Sequence, residues 1–316
     1  MALSHHEEKN GAPLRIRITE VGPRDGLQNE PDILSTNAKV TFVNALSQSG
    51  VAEIEAGSFV SPRAVPQLAD SDEVFKRIER RPGVIYSALV PNERGLERAR
   101  AAAVDKIAVF TAASDTFSRQ NIHCTVRESI ARFRAVVSQA KHDGTAVRGY
   151  ISTVTHCPFE GAIAPSRVVE VMRDLLDLGV DEISLGDTIG KAAPSDVRRL
   201  MDEIMPHIRQ AALSLHFHDT YGMAIANVLT AWSEYGIASF DTSAGGLGGC
   251  PYAPGASGNV ATEDVVYALR ASGAFAGVDD RLVVKAARQL GAELNHPLFS
   301  RLSRVHEHHM SGEAVR

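Results

Sequence analysis

Residues 165–219 read PSRVVEVMRDLLDLGVDEISLGDTIGKAAPSDVRRLMDEIMPHIRQAALSLHFHD. This stretch holds two copies of one unit. Pro165–Leu178 and Pro194–Ile208 are long amphipathic segments, and each is followed by a short β-type run, Glu182–Gly186 and Leu213–His218. The first pattern has helical spacing and the second alternates, as helices and strands require. The unit recurs in both directions. Further strand runs are expected at Arg15–Val21, Ala52–Ala56, Val84–Leu89, Lys106–Phe110, Val147–Thr153 and Phe240–Ala244. Helical patterns fall between them at Thr36–Ser49, Ser71–Arg80, Arg94–Ala103, Val126–Lys141 and Ala224–Tyr235. Strand and helix alternating eight times over about 250 residues predict an α/β fold, a (β/α)8 TIM barrel, with a doubly wound open sheet as the alternative.

The punctuation agrees with this register. Ser35 and Ser195 suit helix N-caps, and Pro165 and Pro194 suit first helical positions. Gly50, Gly179 and Gly236 each follow a helical run, where a left-handed residue ends the helix. After Thr262 the period is helical again in EDVVYALRASG and RLVVKAARQLGAEL, which read as a closing barrel helix and a C-terminal helical extension. Residues 14–302 are expected to form one catalytic domain. The polar stretches 1–13 and 303–316 read as disordered tails.

The chain has 316 residues, 33 basic and 38 acidic, a balance that offers no attraction to nucleic acid. No apolar run approaches the roughly 20 residues that span a bilayer, so no membrane partner is expected. The first residues, MALSHHEEKNGAPL, have neither a signal-peptide core nor transit-peptide character, which points to the cytoplasm. Three cysteines, Cys124, Cys157 and Cys250, are too few and too scattered for a disulfide framework and fit a reducing compartment.

Chemistry collects where a barrel keeps it, at the C-terminal ends of the strands. His216 and His218 are two apart on a strand, so both imidazoles face the barrel axis while Phe217 faces the helices. As a bare HxH pair they also suit two core histidines. Asp25, at the end of the first strand, adds a carboxylate, and the three together suit a divalent cation with open positions. An amide oxygen from Asn259 raises the share of hard ligands and favours Mg2+ or Mn2+ over Zn2+. Arg24 adjoins the Asp25 carboxylate and is read as an electrophilic anchor for a developing oxyanion. Glu55 should point inward, and Arg24 is its economical partner.

Residues 245–258, GGLGGCPYAPGASG, are too glycine-rich for a strand or helix and read as a mobile loop over the active site. Its cysteine, Cys250, is a candidate proton donor to a carbanion. The loop lacks a nucleotide-binding glycine pattern. Asp187 closes the sixth strand, either as a structural cap or as a general base. Glu263 reads as a helix N-terminal charge, and Cys124 and Cys157 as small, partly buried residues.

Five stretches together carry a family resemblance: EVGPRDGLQNE (20–30), IEAGSFVSP (54–62), SLGDTIG (184–190), HFHDTYG (216–222) and GGLGGCPYAPGASGNVATEDVVY (245–267). They resemble the DRE-type TIM-barrel metallolyases in their hydroxymethylglutaryl-CoA lyase form, from about residue 14 to residue 296. The resemblance implies cleavage of 3-hydroxy-3-methylglutaryl-CoA to acetyl-CoA and acetoacetate, as in leucine breakdown. It implies a divalent cation held by Asp25, His216, His218 and Asn259. Arg24 would stabilise the enolate oxygen, with Glu55 holding Arg24. Asp187, with His216 nearby, would take the hydroxyl proton, and Cys250 would protonate the enolate carbon. Gln28, Ser58, Asn121, Tyr150 and Thr188 would contact the acyl-CoA substrate, and barrels of this kind commonly form homodimers.

Two places depart from the family pattern, His156 before Cys157 and Lys191-Ala192-Ala193-Pro194 after SLGDTIG. Both are expected near the mouth and bear on acyl-chain specificity, so a lyase for a longer branched 3-hydroxyglutaryl-CoA is the alternative. A Claisen-type synthase of the same superfamily, a metal hydrolase and a non-catalytic binding module are the further rivals.

Overall fold

The computed structural model describes residues 15–249, 258–298 and 300–310, with side chains described as far as residue 305. Eight parallel strands close on themselves in sequential order: β1 Arg17–Glu20, β2 Glu53–Ser58, β3 Ile85–Leu89, β4 Lys106–Ala112, β5 Ala146–Ser152, β6 Glu182–Asp187, β7 Leu213–Phe217 and β8 Ser239–Thr242. Closure runs through β1 on β8, with Arg17 opposite Ser239 and Glu20 opposite Thr242. The open sheet is thereby excluded, and the (β/α)8 barrel stands.

The helices that cover the barrel are α1 Thr36–Ser47, α2 Ser71–Arg77, α3 Glu93–Ala101, α4 Asp115–Ile122, α5 Val126–His142, α6 Pro165–Asp177, α7 Pro194–Ile204, α8 Ala224–Tyr235 and α9 Thr262–Ala271. Each turns an apolar stripe to the sheet. In α7, Val197, Leu200, Met201 and Ile204 recur at helical spacing and are all buried. Burying each such side chain contributes about 1.5–3 kcal/mol. The Ser35 hydroxyl caps α1 by accepting from the Ala38 amide at 3.1 Å, and Thr125 with Glu128 forms a capping box on α5. Gly236 ends α8 in the left-handed region at φ 67°.

Several expectations need correction. Ser195 does not cap α7. Pro194 is already helical, Ala193 is the cap residue, and its amide donates to Asp196 Oδ2 at 2.9 Å. Helix α4 lies between the expected elements, in a stretch with no long apolar period, and it ends at His123 in the left-handed region. A two-stranded hairpin, residues 156–157 against 161–162, also stands outside the expected elements. The C-terminal extension is α10 Asp280–Glu293, followed by α11 Arg301–Met310. Residues 303–310 are therefore helical rather than a disordered tail. Asp264 caps that helix, accepting from the Arg301 and Leu302 amides at 3.0 and 2.8 Å. The expected tail residues 1–13 and 311–316 lie outside the described residues.

The barrel interior is unusually polar for this architecture, whose inner layers are usually branched apolar residues. Arg148 of β5 is 1% exposed and donates to Asp241 of β8 at 2.7 Å and to Glu182 of β6 at 2.6 Å. Lys106 of β4 pairs with Glu182 at 2.8 Å and Glu53 of β2 at 2.5 Å. These charges are buried because each has an opposite partner. The apolar core lies instead between the strands and the helices, where Ile18, Ile54, Ile107, Ile151 and Phe240 point outward. The axis is thus left to polar groups that reach the C-terminal mouth.

Candidate metal centre and catalytic cavity

A cavity of about 1000 Å³ opens at the C-terminal ends of the strands. Arg24, Asp25, Gln28, Ser58, Asn121, Tyr150, Thr188, His216 and His218 all line it, drawn from a barrel mouth that spans most of the chain length. Asn121 reaches it from α4, the helix that the sequence pattern does not reveal.

The strand β1 ends in a tight helical turn, Gly22–Gly26, that presents Arg24 and Asp25 side by side. Arg24 Nε and Nη2 bind Glu55 Oε2 at 2.7 and 2.6 Å, and Nη1 binds Asp25 Oδ1 at 2.6 Å. The pairing of Glu55 with Arg24 is therefore present, with the carboxylate fully buried behind the guanidinium. Burial opposes the charge on Arg24, but Glu55 and Asp25 raise its pKa above the usual arginine value, so it stays a cation. Burial also opposes the charge on Asp25. Arg24, His216, His218 and the Asn259 amide outweigh it and hold the carboxyl at about 2.

Three candidate ligands converge. His216 Nε2 and His218 Nε2 are 3.2 Å apart, and Asp25 Oδ2 is 4.0 Å from His216 Nε2. One ligand atom from each of Asp25, His216 and His218 falls within 4.8 Å of the others. Asn259 arrives by a different route. Residues 258–261 return along the end of β7, where Asp219 N donates to Gly258 O at 3.0 Å and Val260 N donates to Phe217 O at 3.0 Å. Asn259 Nδ2 then donates to Asp25 Oδ2 at 2.9 Å, while its Oδ1 is buried without a hydrogen-bond partner. An orphaned carbonyl oxygen on an amide that adjoins the Asp25 carboxylate fits a divalent cation, because it costs free energy unless something electropositive faces it. Gly258, at φ 46°, makes the return possible, since a Cβ there would strike the Gly248 carbonyl.

Without a cation the imidazoles differ. Burial, then His216, lowers the His218 pKa to about 4. Burial pulls His216 down as well, but Asp241 and Asp25 more than compensate and raise it.

Asp187 does not line the cavity, although Gly186 and Thr188 on either side do. Its oxygens accept from Thr155 Oγ1 at 3.1 Å and Ala192 N at 3.0 Å. Burial raises its pKa to about 6 against those two hydrogen bonds. His156 and Ala192, expected near the mouth, are not among the lining residues either. Ala192 is buried under Asn227, which donates to its carbonyl at 2.8 Å. His156 is half-buried in the hairpin of residues 156–162, and burial lowers its pKa. These departures therefore do not shape the described wall of the cavity. Cys250 and the middle of the expected mobile loop, residues 250–257, lie outside the described residues. Gly249, just before them, lines the cavity.

Further charged residues hold this site in place. Glu20 accepts from Gly22 N and Ala244 N, both at 2.9 Å, and from Thr262 Oγ1 at 2.6 Å. It therefore ties the Arg24–Asp25 turn to both flanks of the glycine-rich segment. Glu263 stands in the first turn of α9, as a helix N-terminal charge should, and is buried there, accepting from Gly245 N at 3.1 Å. Asp241 and Arg148 lie under His216 and Tyr150. Their one sequence signal is a charge at an inward strand position.

Comparison with known proteins follows this geometry. A family model described as HMGL-like matches residues 15–290. The chain is 48% identical over 296 residues to the rat 3-hydroxy-3-methylglutaryl-CoA lyase, cytoplasmic, covering 94% of this chain and 86% of that one. The crystal structure of hydroxymethylglutaryl-CoA lyase from Pseudomonas aeruginosa superposes with a TM-score of 0.91 at 46% identity, over 93% of this chain and 98% of that one. An HMG-CoA lyase from Acinetobacter baumannii, in complex with coenzyme A and 3-methylmalate, gives 0.87 at 41% identity, over 92% and 94% of the two chains.

Proposed function

This chain belongs to the HMGL-like family, and from that premise we propose that it is a carbon–carbon lyase that cleaves 3-hydroxy-3-methylglutaryl-CoA to acetyl-CoA and acetoacetate. The observation that carries the reading is the convergence of Asp25, His216 and His218 on the cavity wall that Arg24 also lines. We propose Mg2+ or Mn2+ as the cofactor, held by Asp25, His216, His218 and Asn259, because two of these four donors are oxygens. When bound, the cation supplies Lewis acidity toward the tertiary hydroxyl and a carboxylate oxygen of the substrate.

The side chains do the rest. Asp187 stands behind the cavity wall, between the lining residues Gly186 and Thr188, and takes part with His216 in removing the hydroxyl proton; a pKa of about 6 leaves it ionised at neutral pH. The C2–C3 bond then breaks. Its electron pair moves into the thioester, and the former hydroxyl oxygen becomes the ketone of acetoacetate. Arg24 faces the oxygen that turns negative, with Glu55 and Asp25 fixing its fork, and such a contact is typically worth about 3–4 kcal/mol. Cys250 returns a proton to the enolate carbon and completes acetyl-CoA. Ser58, Asn121, Tyr150 and Thr188 contact the acyl-CoA, while Gln28 braces Asp25 at 3.0 Å. The cavity volume is at the upper end of the range for small-molecule sites, as a thioester with a pantetheine arm requires.

A homodimer is also proposed, as the commonest assembly of such chains, and sedimentation checks it. No described helix is long and apolar enough to cross a membrane. A cytoplasmic address is proposed on cysteine usage, with Cys124 and Cys157 both free and buried.

The deciding experiment supplies 3-hydroxy-3-methylglutaryl-CoA with Mg2+ or Mn2+ and follows every product. Equal amounts of acetoacetate and acetyl-CoA, lost on chelation and restored by the cation, are expected. A Claisen-type synthase or a thioester hydrolase releases free coenzyme A instead. That result, or no turnover by cation-loaded protein, would overturn the proposal.

The role of Asp187 sets a pH dependence. Its raised pKa means that the proton stays on to higher pH than in an ordinary aspartate. As a base it must lose that proton, so kcat/KM is expected to rise with pH and level off above about 6. In Asp187→Asn this limb should disappear, with kcat lower by about 10²–10⁴-fold. A variant that keeps the same acid limb would assign it to another group.

A further inference from the structure

His216 points Nε2 at the candidate cation site, and the group behind it sits on the neighbouring strand. Asp241 of β8 is opposite His216 of β7 in the sheet register, and Asp241 Oδ2 lies 3.5 Å from His216 Nδ1, an ion-pair distance a little longer than a well-formed hydrogen bond. That nitrogen is buried without a hydrogen bond, and the Asp241 carboxylate is the charged group that faces it. The carboxylate cannot turn away. Oδ1 accepts from Arg148 Nη1 at 2.7 Å and Ser214 Oγ at 3.0 Å, and Oδ2 accepts from Ser184 Oγ at 2.7 Å. Asp241 and Arg148 are each 1% exposed, and Arg148 is itself anchored to Glu182 at 2.6 Å and Thr19 at 3.1 Å. His218 Nδ1 is likewise without a hydrogen bond, and among the described residues no carboxylate pairs with it as Asp241 does with His216.

A neutral imidazole carries its proton on one nitrogen and offers a lone pair on the other, so whatever sits behind the ring decides which nitrogen can ligate. The choice matters here because the two Nε2 atoms face each other at 3.2 Å. If both carried the proton, neither could serve a cation. We propose that Asp241, clamped by Arg148, is a positioning residue: it holds the Nδ1–H tautomer of His216 and so turns the Nε2 lone pair toward the cation. This rests on the reading of Asp25, His216 and His218 as cation ligands. It makes the two histidines unequal, with His216 the better ligand, because a carboxylate behind a ligating imidazole raises its basicity. The clamp also joins the two halves of the site. Arg148 Nη1 is 3.3 Å from Tyr150 Oη, which donates to Glu55 Oε2 at 3.2 Å, and Glu55 is the partner of Arg24.

The test uses the full chain and Mn2+ alone, with no substrate. Free Mn2+ is counted by electron paramagnetic resonance during titration of wild type, Asp241→Asn and Ser184→Ala, each checked for folding by thermal melts. Asp241→Asn leaves Arg148 its Glu182 partner, and Mn2+ affinity is expected to fall about 10–100-fold, the usual effect of removing such a carboxylate. Ser184→Ala should weaken binding less, in the same direction. Nitrogen-15 spectra of histidine-labelled, cation-free wild type at alkaline pH should show His216 protonated on Nδ1, and a shifted tautomer balance in Asp241→Asn. A purely structural role would move the melt and leave affinity and tautomer alone. If Asp241→Asn does not fold, the wild-type tautomer and the Ser184→Ala affinity decide. His216 protonated on Nε2 in wild type, or wild-type Mn2+ affinity in a folded Asp241→Asn, overturns the proposal. Failure of wild type to bind Mn2+ at all would instead sink the reading of the ligand set.

Discussion

Asp25→Asn is expected to lower kcat/KM by about 10³-fold or more and to remove most of the bound cation, while the fold survives. The substitution keeps the shape of the side chain and discards its charge. That charge serves two partners, since Oδ1 meets Arg24 at 2.6 Å and Oδ2 meets the Asn259 amide at 2.9 Å, facing the imidazoles. Without it a divalent ion is left with neutral donors only. Lewis acidity at such a site is worth several kcal/mol, and each 1.36 kcal/mol is tenfold in rate. Arg24 keeps Glu55 as a counter-ion at 2.7 Å, so no buried charge is stranded and the melting temperature should change little. Cation content by elemental analysis, read beside steady-state kinetics, checks both halves. Activity within tenfold of wild type at saturating Mn2+ would mean that Asp25 is not a ligand.

Arg24→Met should cost both rate and stability, and the two losses can be separated. Removing the guanidinium strips the enolate oxygen of its counter-charge, which lowers kcat by about 10²–10³-fold. It also leaves the Glu55 carboxylate, 0% exposed, with the Tyr150 hydroxyl as its remaining described hydrogen-bond partner. Breaking a buried pair from one side typically costs about 3–5 kcal/mol, which corresponds to a drop of about 10 °C in melting temperature. The double variant Arg24→Met with Glu55→Gln removes the stranded charge. Melting should then recover most of the loss while kcat stays low. If kcat recovered with stability, Arg24 would be a structural residue.

The barrel was legible because its two periods do not overlap. Glu182–Gly186 and Leu213–His218 differ by a single residue at one end from β6 and β7, since alternation and turn residues bound them. The HxH pair was legible for the same reason, as period two alone puts both imidazoles on the inner face. Helix α4 was hidden because it is short and polar, and its cap, Ser114, opens no apolar run. Helix α11 was hidden by composition: Arg301–Met310 is polar, and what docks it is Asp264, 37 residues earlier in the chain, together with an Arg301–Asp219 pair at 3.0 Å. His156 and Ala192 adjoin motif segments in sequence yet do not line the cavity: His156 is held in the hairpin of residues 156–162, and the Ala192 amide is tied back to Asp187 at 3.0 Å. Asp241 and Arg148 are separated by 93 residues, and only closure of the barrel makes them partners. Local pattern gives the inward direction of each charge; it cannot say which opposite charge waits across the axis.

That polar axis has a functional consequence. A barrel filled with branched apolar side chains ends in an inert floor, whereas here the floor is a chain of ion pairs leading to His216 on one side and Arg24 on the other. The proposed ligand His216 and the proposed oxyanion anchor Arg24 are therefore joined by one buried network, the preorganisation that such a site needs.

The most direct test of the account is anomalous diffraction from crystals of the protein soaked in Mn2+. One strong peak is expected within about 2.0–2.3 Å of Asp25 Oδ2, His216 Nε2, His218 Nε2 and Asn259 Oδ1, the proposed ligand atoms. A cation bound elsewhere, or none in fully soaked crystals, would contradict it.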